Sequence, residues 1–178
     1  MKPVNPATFL NPTLRWRPLV RGSYPPEIAD WIADNGSLTQ RLQRLGRFHV
    51  IPQRQIIAPP RAEEAHLLGL APRRAALIRE VLLYLDDTPV VFARSVLPLA
   101  SLRGRNRILG HMARRSLGAE LFKAPRAQRE RVWTANANIS EIPAIDAPQC
   151  FGRQSLFRKR GKPLLVAEFF LPALFNRD

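Results

Sequence analysis

The chain carries a single cysteine, Cys150, in 178 residues. One thiol excludes an internal disulfide framework and any multi-cysteine metal site, and it fits a reducing compartment. Its histidines, His49, His66 and His111, share no metal-ligand spacing and read as surface or satisfied side chains. No apolar run approaches the ~18–20 residues that cross a bilayer. The opening stretch "MKPVNPATFLNPTLRW" lacks the continuous apolar core of a secretory signal. A cytoplasmic protein without stable membrane insertion is therefore expected. Nucleophile-elbow, P-loop and Rossmann fingerprints are missing, and "GRNRILG" is basic but not a phosphate loop. There are no internal repeats and no low-complexity segments.

Acidic residues are scarce as well: 14 against 28 basic ones, a formal charge of +14. Such an excess raises the possibility of a nucleic-acid partner, because clustered Lys and Arg supply phosphate contacts. Two features argue against it. Only Lys2, Lys123, Lys159 and Lys162 are lysines, and so lopsided an arginine excess follows from genome composition as readily as from function. The arginines are also scattered, in short pairs such as Arg73-Arg74 and Arg114-Arg115, with no interleaved aromatic stripe. A basic protein can equally draw in a small anionic substrate.

What is present is apolar. Hydrophobic residues make up 46% of the chain, enough for a core in one domain of this length. Residues 1–178 read as that domain, with 1–22 a Pro-rich extended segment on the surface. "YPPEIADWIADNG" reads as a short helix with Pro26 in its first turn. "SLTQ" is a capping box opening a helix whose Leu38, Leu42 and Leu45 share a stripe that stops at Gly46. "RFHVIPQRQII" reads as a strand that Pro52 confines to an edge or a bulge. "RAEEAHLLGL" is a short helical piece. "AALIREVLLYLDDTPVVFARSVLP" is a hairpin turning at Asp86-Asp87. "SLRGRNRILGHMARRSLGAELF" is mostly helical, with Ser116 as a cap. "RAQRERVWTANA" is a polar strand, "ISEIPAIDAP" a loop, and "CFGRQSLFRKRGKPLLVAEFFLP" two strands around Arg160-Gly161-Lys162. Helices early and mid-chain with antiparallel hairpins elsewhere give an α+β fold: helices packed on an antiparallel sheet.

Two apolar runs contain charges. In "KPLLVAEFFLP", Leu164, Val166, Glu168 and Phe170 share one strand face, and the opposite face is apolar too, so Glu168 is expected to be buried either way. In the same manner Arg79 shares a face with Leu77, Val81 and Leu83, and Arg94 interrupts "VVFARSVL". An isolated buried carboxylate takes up a proton, whereas arginine cannot shed its charge. Three readings follow. Arg79 or Arg94 forms a structural ion pair with Glu168 or Glu80. Alternatively, these positions lie at exposed edges. In the third, the strands line a closed pocket in which Arg79 grips a ligand carboxylate and Glu168 meets a hydroxyl of the same ligand.

These strands also resemble chorismate pyruvate-lyase. "GRQSLFRKRGKPLLVAEFFLP" is similar to the family's C-terminal hairpin, a G-R-x-S turn-strand followed by G-K-P-L-L and E-x-F-L-P. "LIREVLLYLDDTPVVFARSVLP" resembles its W-L-R-E-I-L-L hairpin and following R-x-V-x-P strand. "RSLGAELF" resembles P-L-G-x-x-L-F, and "GSLTQRL" resembles S-M/L-T-x-R-L. The matches run in family order over about residues 27–172. Departures are Ala93 for a glycine, Phe151 for a tryptophan, Leu38 for a methionine, and a 134–149 loop longer than usual.

The resemblance implies a sheet of about six antiparallel strands with helices on one side, enclosing a buried site. It implies the elimination of pyruvate from chorismate to give 4-hydroxybenzoate for ubiquinone, with no cofactor, metal or nucleic acid, by a monomer. Arg79 would hold the ring carboxylate and Glu168 the ring hydroxyl. Leu38 and Leu117 would contact the ligand, Leu117 through its backbone, and Arg94 would stand near the enolpyruvyl carboxylate. The helix pair at 26–45 would be the lid. A rival of another class is a non-catalytic sensor for small acids, since effector domains of some transcription regulators have a similar fold. Only residues 1–26 precede the matching region, too few for a winged helix, which weighs against that rival.

Overall fold

A computed structural model describes residues 14–20, 22–139 and 147–176. Most of the expected extended start therefore lies outside the described residues. In chain order the strands are β1 (Arg17–Pro18), β2 (Phe48–Ala58), β3 (Ala76–Leu85), β4 (Thr88–Pro98), β5 (Gln128–Ile139), β6 (Ala147–Lys159) and β7 (Lys162–Phe170). The helices are α1 (Pro26–Ala33), α2 (Leu38–Gln43), α3 (Ala62–Leu67) and α4 (Leu117–Phe122), with 3-10 segments at Leu99–Leu102, Gly104–Gly110 and Pro172–Leu174. All strands join one antiparallel sheet in the order β1-β5-β6-β7-β4-β3-β2. Six long strands and a two-residue edge piece match the expected α+β class.

Both faces of the central strands are covered, which is why β3 and β7 read as continuous apolar runs rather than alternating ones. On the front, Ile28, Trp31 and Ile32 of α1 and Leu38 and Leu42 of α2 pack on Val81, Leu83, Val91 and Phe170. Beside them Leu117 and Leu121 of α4 pack on Leu77, Leu97, Phe157 and Val166. The back is not bare, as helices on one side only would leave it. Leu14 and Trp16 cover Phe92 and Phe169, while α3 and the following Leu68 sit over Ala76, Val96 and Leu165. Burying each such side chain stabilises the fold by ~1.5–3 kcal/mol.

Local rules set the joints. Arg160 (φ 50°) and Gly161 (φ 74°) are consecutive left-handed residues between β6 and β7. That pattern belongs to a type I′ turn, whose twist matches that of the flanking strands. Pro52 lies in edge strand β2 beside a register shift, as its missing amide requires. Ser37 and Ser116 cap α2 and α4 through the amides of Gln40 and Ala119. Two expectations need correction. The apolar stripe of α2 ends before Leu45, which is 49% exposed because the helix stops at Gln43. The loop expected over 134–149 is largely strand, since β5 runs to Ile139 and β6 begins at Ala147, with 140–146 outside the described residues.

Lys159, at the end of β6, is buried, and its Nζ donates to the carbonyls of Glu120, Leu121, Lys123 and Pro125 at 2.7–3.2 Å. The last carbonyls of a helix have no internal partner, so one ammonium finishes α4 and ties it to the sheet. Burial first, and then the positive Arg160, lower its pKa. Lys159→Met is expected to cost about 2–3 kcal/mol of unfolding free energy, read as a lower urea midpoint at unchanged slope. An unmoved midpoint would mean that the ammonium adds nothing net.

Candidate active site

The front-face helices do not lie flush on the sheet. Between them is a cavity lined by Leu38 and Thr39 from α2, Arg79 from β3, Ser95 from β4, Leu117 from α4, Arg129 from β5, Phe157 from β6 and Glu168 from β7. Its walls are mainly apolar, and its charges come from separate strands. Helices α2 and α4 close over it where Gly118 meets Thr39. A Cβ on Gly118 would lie 2.9 Å from the Thr39 hydroxyl oxygen, and that hydroxyl is hydrogen-bonded to Ser116 at 2.5 Å.

Glu168 is not alone. Arg153 stands directly across from it on β6. The Nε and Nη2 of Arg153 donate to Glu168 Oε2 at 2.8 and 2.6 Å. Both bonds fall on one oxygen, and Oε1 has no donor among the described residues. The remaining arm of Arg153, Nη1, donates to the carbonyls of Trp31 at 3.0 Å and Asp34 at 2.7 Å, at the C-terminal end of α1. That end bears the negative pole of the helix and has no basic side chain of its own.

Arg79 is 2% exposed, and among the described residues no carboxylate pairs with it. Its Nη2 donates to the carbonyls of Ala113 at 2.9 Å and Arg115 at 3.0 Å, while its buried Nε has no partner. Ala113 holds a left-handed φ of 46°, a conformation that costs an ordinary residue ~1–2 kcal/mol. Burial pushes the Arg79 pKa below the usual arginine range. The guanidinium is thus fixed by neutral dipoles and its charge is uncompensated.

Leu38, Arg79, Leu117 and Glu168 therefore meet at one cavity. Arg94 does not. One residue on from Ala93, it faces the back of the sheet, bonded to Glu64 at 2.7 and 2.9 Å and to Glu80 at 2.6 Å. Burial opposes its charge, but the bonds and charges of Glu64 and Glu80 outweigh that and raise its pKa. Arg54 also pairs with Glu80 at 2.9 Å. The structural ion-pair reading thus holds for Arg94 with Glu80, a placement that excludes Arg94 from the cavity. Period-2 alternation gives the reason: neighbours on a strand face opposite ways.

A family model described as chorismate lyase matches residues 13–178. The chain belongs to the chorismate lyase family. A relative from Alcanivorax borkumensis, named probable chorismate pyruvate-lyase, is 58% identical over 94% of this chain and 80% of its own length. One of the same name from Aromatoleum aromaticum is 40% identical over 88% of this chain and 90% of its own. Among solved structures, the effector domain of PhnF from Mycobacterium smegmatis superposes with a TM-score of 0.58 at 18% identity, covering 78% of this chain and 90% of that one. A GntR-family transcriptional regulator from Enterococcus faecalis gives a TM-score of 0.51 at 18% identity, covering 72% of this chain and 97% of that one. These two share the fold alone.

The chorismate lyase hairpin motif now has a physical reading. A Cβ on Gly152 would meet the Phe169 ring at 2.8 Å, so only glycine fits there. Arg153 follows as the partner of Glu168, and Arg160-Gly161 sets the turn that puts them opposite each other. Sequence reasoning missed Arg153, although counting outward from that turn pairs 153 with 168. It also missed Arg129, for which no signal existed: a register shift between Arg129 and Arg131 decides which way that side chain points.

Arg94→Met should cost about 3–5 kcal/mol of stability, by leaving Glu64 and Glu80 buried with too little positive charge. It should not change ligand affinity at the front cavity. Chemical denaturation together with a ligand titration checks both, and an affinity loss at unchanged stability would return Arg94 to the site.

Proposed function

We propose that this chain is a chorismate pyruvate-lyase, converting chorismate to 4-hydroxybenzoate and pyruvate. The observation that carries the reading is Arg79, a buried, uncompensated guanidinium facing Glu168 across an apolar cavity. The ring carboxylate of chorismate would neutralise Arg79 and take a further hydrogen bond from the Leu117 amide in the first turn of α4. Glu168, held by Arg153 through Oε2, offers Oε1 to the C4 hydroxyl at the other end of the ring. Leu38 and Phe157 pack on the ring faces.

In the reaction the C3–O bond breaks as the proton on C4 departs. The electron pair of the C4–H bond completes the aromatic ring, and the pair of the C3–O bond leaves with enolpyruvate. The enolate then takes up a proton at its methylene carbon to become pyruvate. Two bonds are cleaved, C3–O and C4–H, one proton passes from C4 to the methylene carbon of the leaving enolate, and no oxidant or reductant enters. Aromatisation drives the step, so the protein's part is orientation and compensation of charge on the departing carboxylate fragment. Glu168 beside C4 is the residue that guides the departing proton.

The cavity's free volume is only about 40 Å³, so the front helices would move to admit a ring. Helices α1 and α2 form one lid unit. Arg41 of α2 lies 3.6 Å over the Trp31 ring and pairs with Asp30 and Asp34. Arg153 holds that unit down by its carbonyl contacts. We assign the enzyme to the cytoplasm as a monomeric single domain, feeding 4-hydroxybenzoate to ubiquinone synthesis. Among the described residues no helix is long and apolar enough to cross a membrane.

The test is to incubate purified protein with chorismate and follow both products. Equimolar 4-hydroxybenzoate and pyruvate is the expected result. Arg79→Ala and Glu168→Gln should each lower kcat/KM at least ~10²-fold with the fold retained by circular dichroism. Near-wild-type turnover in both variants defeats the site assignment. Binding of chorismate without turnover would make the protein a sensor.

A further inference from the structure

Among the cavity's charges, Glu168 is answered by Arg153 and Arg79 awaits the ring carboxylate, which leaves Arg129. We propose that Arg129 is the anchor for the second carboxylate of the substrate, the one on the enolpyruvyl group. This inference rests on the lyase reading above, and it gives to Arg129 the role that the family resemblance implied for Arg94.

Several observations support it. Arg129 lines the same cavity as Arg79 and Glu168. Its Nη1 donates to the Asp34 carbonyl at 2.9 Å, and its buried Nε has no partner. The nearby Asp34 carboxylate is already engaged by Arg41 at 3.2 Å. The guanidinium carbon stands 4.9 Å from the Phe157 ring centroid, so an aromatic face holds the group in place. Burial, followed by the like charge of Arg153, pushes its pKa down to about 10, with only Glu168 and Asp34 acting in the other direction. A cation so placed gains when an anion arrives, and its free Nε edge is suited to a carboxylate.

Geometry fixes which carboxylate. In the strand order β5-β6-β7-β4-β3, Arg129 and Arg79 sit at opposite ends and Glu168 lies between them. With strands ~4.8 Å apart, the two arginine backbones are about four spacings from each other. A ring whose C1 carboxylate meets Arg79 and whose C4 hydroxyl meets Glu168 directs its C3 ether away from Arg79. The side chain on that ether then extends toward β5. As the C3–O bond breaks, negative charge grows on the enolpyruvate oxygen, and a guanidinium there stabilises the leaving group as well as the ground-state carboxylate.

Substrate and product differ in this one group, and the test uses that difference. Arg129→Met is expected to lower kcat/KM for chorismate by ~10–100-fold, the range of a charge-assisted hydrogen bond. The dissociation constant of 4-hydroxybenzoate, which has only the ring carboxylate, should stay within about 3-fold of wild type, a shift under ~0.7 kcal/mol. Arg129→Lys, which restores the charge without the fork, should recover part of the loss. Arg79→Met, in contrast, should weaken both ligands. Equal weakening of chorismate and 4-hydroxybenzoate in Arg129→Met would show a residue that only latches α1, and no change in either would remove Arg129 from the site; each overturns the proposal. If the wild type binds chorismate without consuming it, the lyase reading fails on its own. The comparison is then made with dissociation constants, where a loss confined to chorismate sustains the Arg129 assignment and any other pattern overturns it.

Discussion

One guanidinium joins the floor of the cavity to its roof. Arg153 spends two of its nitrogens on Glu168 and the third on the end of α1. Without it, Glu168 would be a buried carboxylate lacking the guanidinium bonds that offset its burial. The carbonyls of Trp31 and Ile32, near the end of α1, would also lose this donor, and each unmet buried polar group costs about 1–3 kcal/mol. The pair is placed by the two-residue Arg160-Gly161 turn, so its register is set locally along one hairpin. The front cavity, its acidic floor and the angle of its first helix all follow from this contact.

The sheet separates two kinds of buried charge. On the back, Arg54, Arg94, Glu64 and Glu80 close upon one another and fasten α3, leaving no net charge. On the front, Arg79 and Arg129 are held by carbonyls, which orient a guanidinium without cancelling it. Buried ion pairs are weak evidence for function because they complete themselves. A buried cation oriented by dipoles is stronger evidence, since the missing anion must come from outside. This distinction, more than the +14 net charge, supports the proposal that the chain receives a small acid.

Much of this was legible in the sequence. The apolar runs around Asp86-Asp87 and Arg160-Gly161 disclosed the central hairpins, and alternation put Glu168 and Arg79 on the apolar faces they occupy. Alternation also held the answer for Arg94: Ala93 and Ser95 line the cavity, so the residue between them faces away. Resemblance by position carried Arg94 into the site where side-chain direction argued against it. Other features were beyond a linear reading. The left-handed turn at Ala113, which brings a carbonyl to Arg79, is made by a residue with no preference for it. The register shift beside Arg129 leaves no compositional mark in a strand already crowded with charge. Leu45 follows the helical period but lies past the end of its helix, which the period alone does not locate.

Because one side chain secures both the acid and the first helix of the lid, access and reactivity are not separate traits in this molecule. A substitution that loosened α1 by weakening Arg153 would also disturb the Glu168 carboxylate on the cavity floor. Evolution of a faster or more permissive variant is thereby steered away from the charged positions and toward the apolar lining at Leu38, Val50, Leu83 and Leu121. There, shape can drift without altering how the charges are answered.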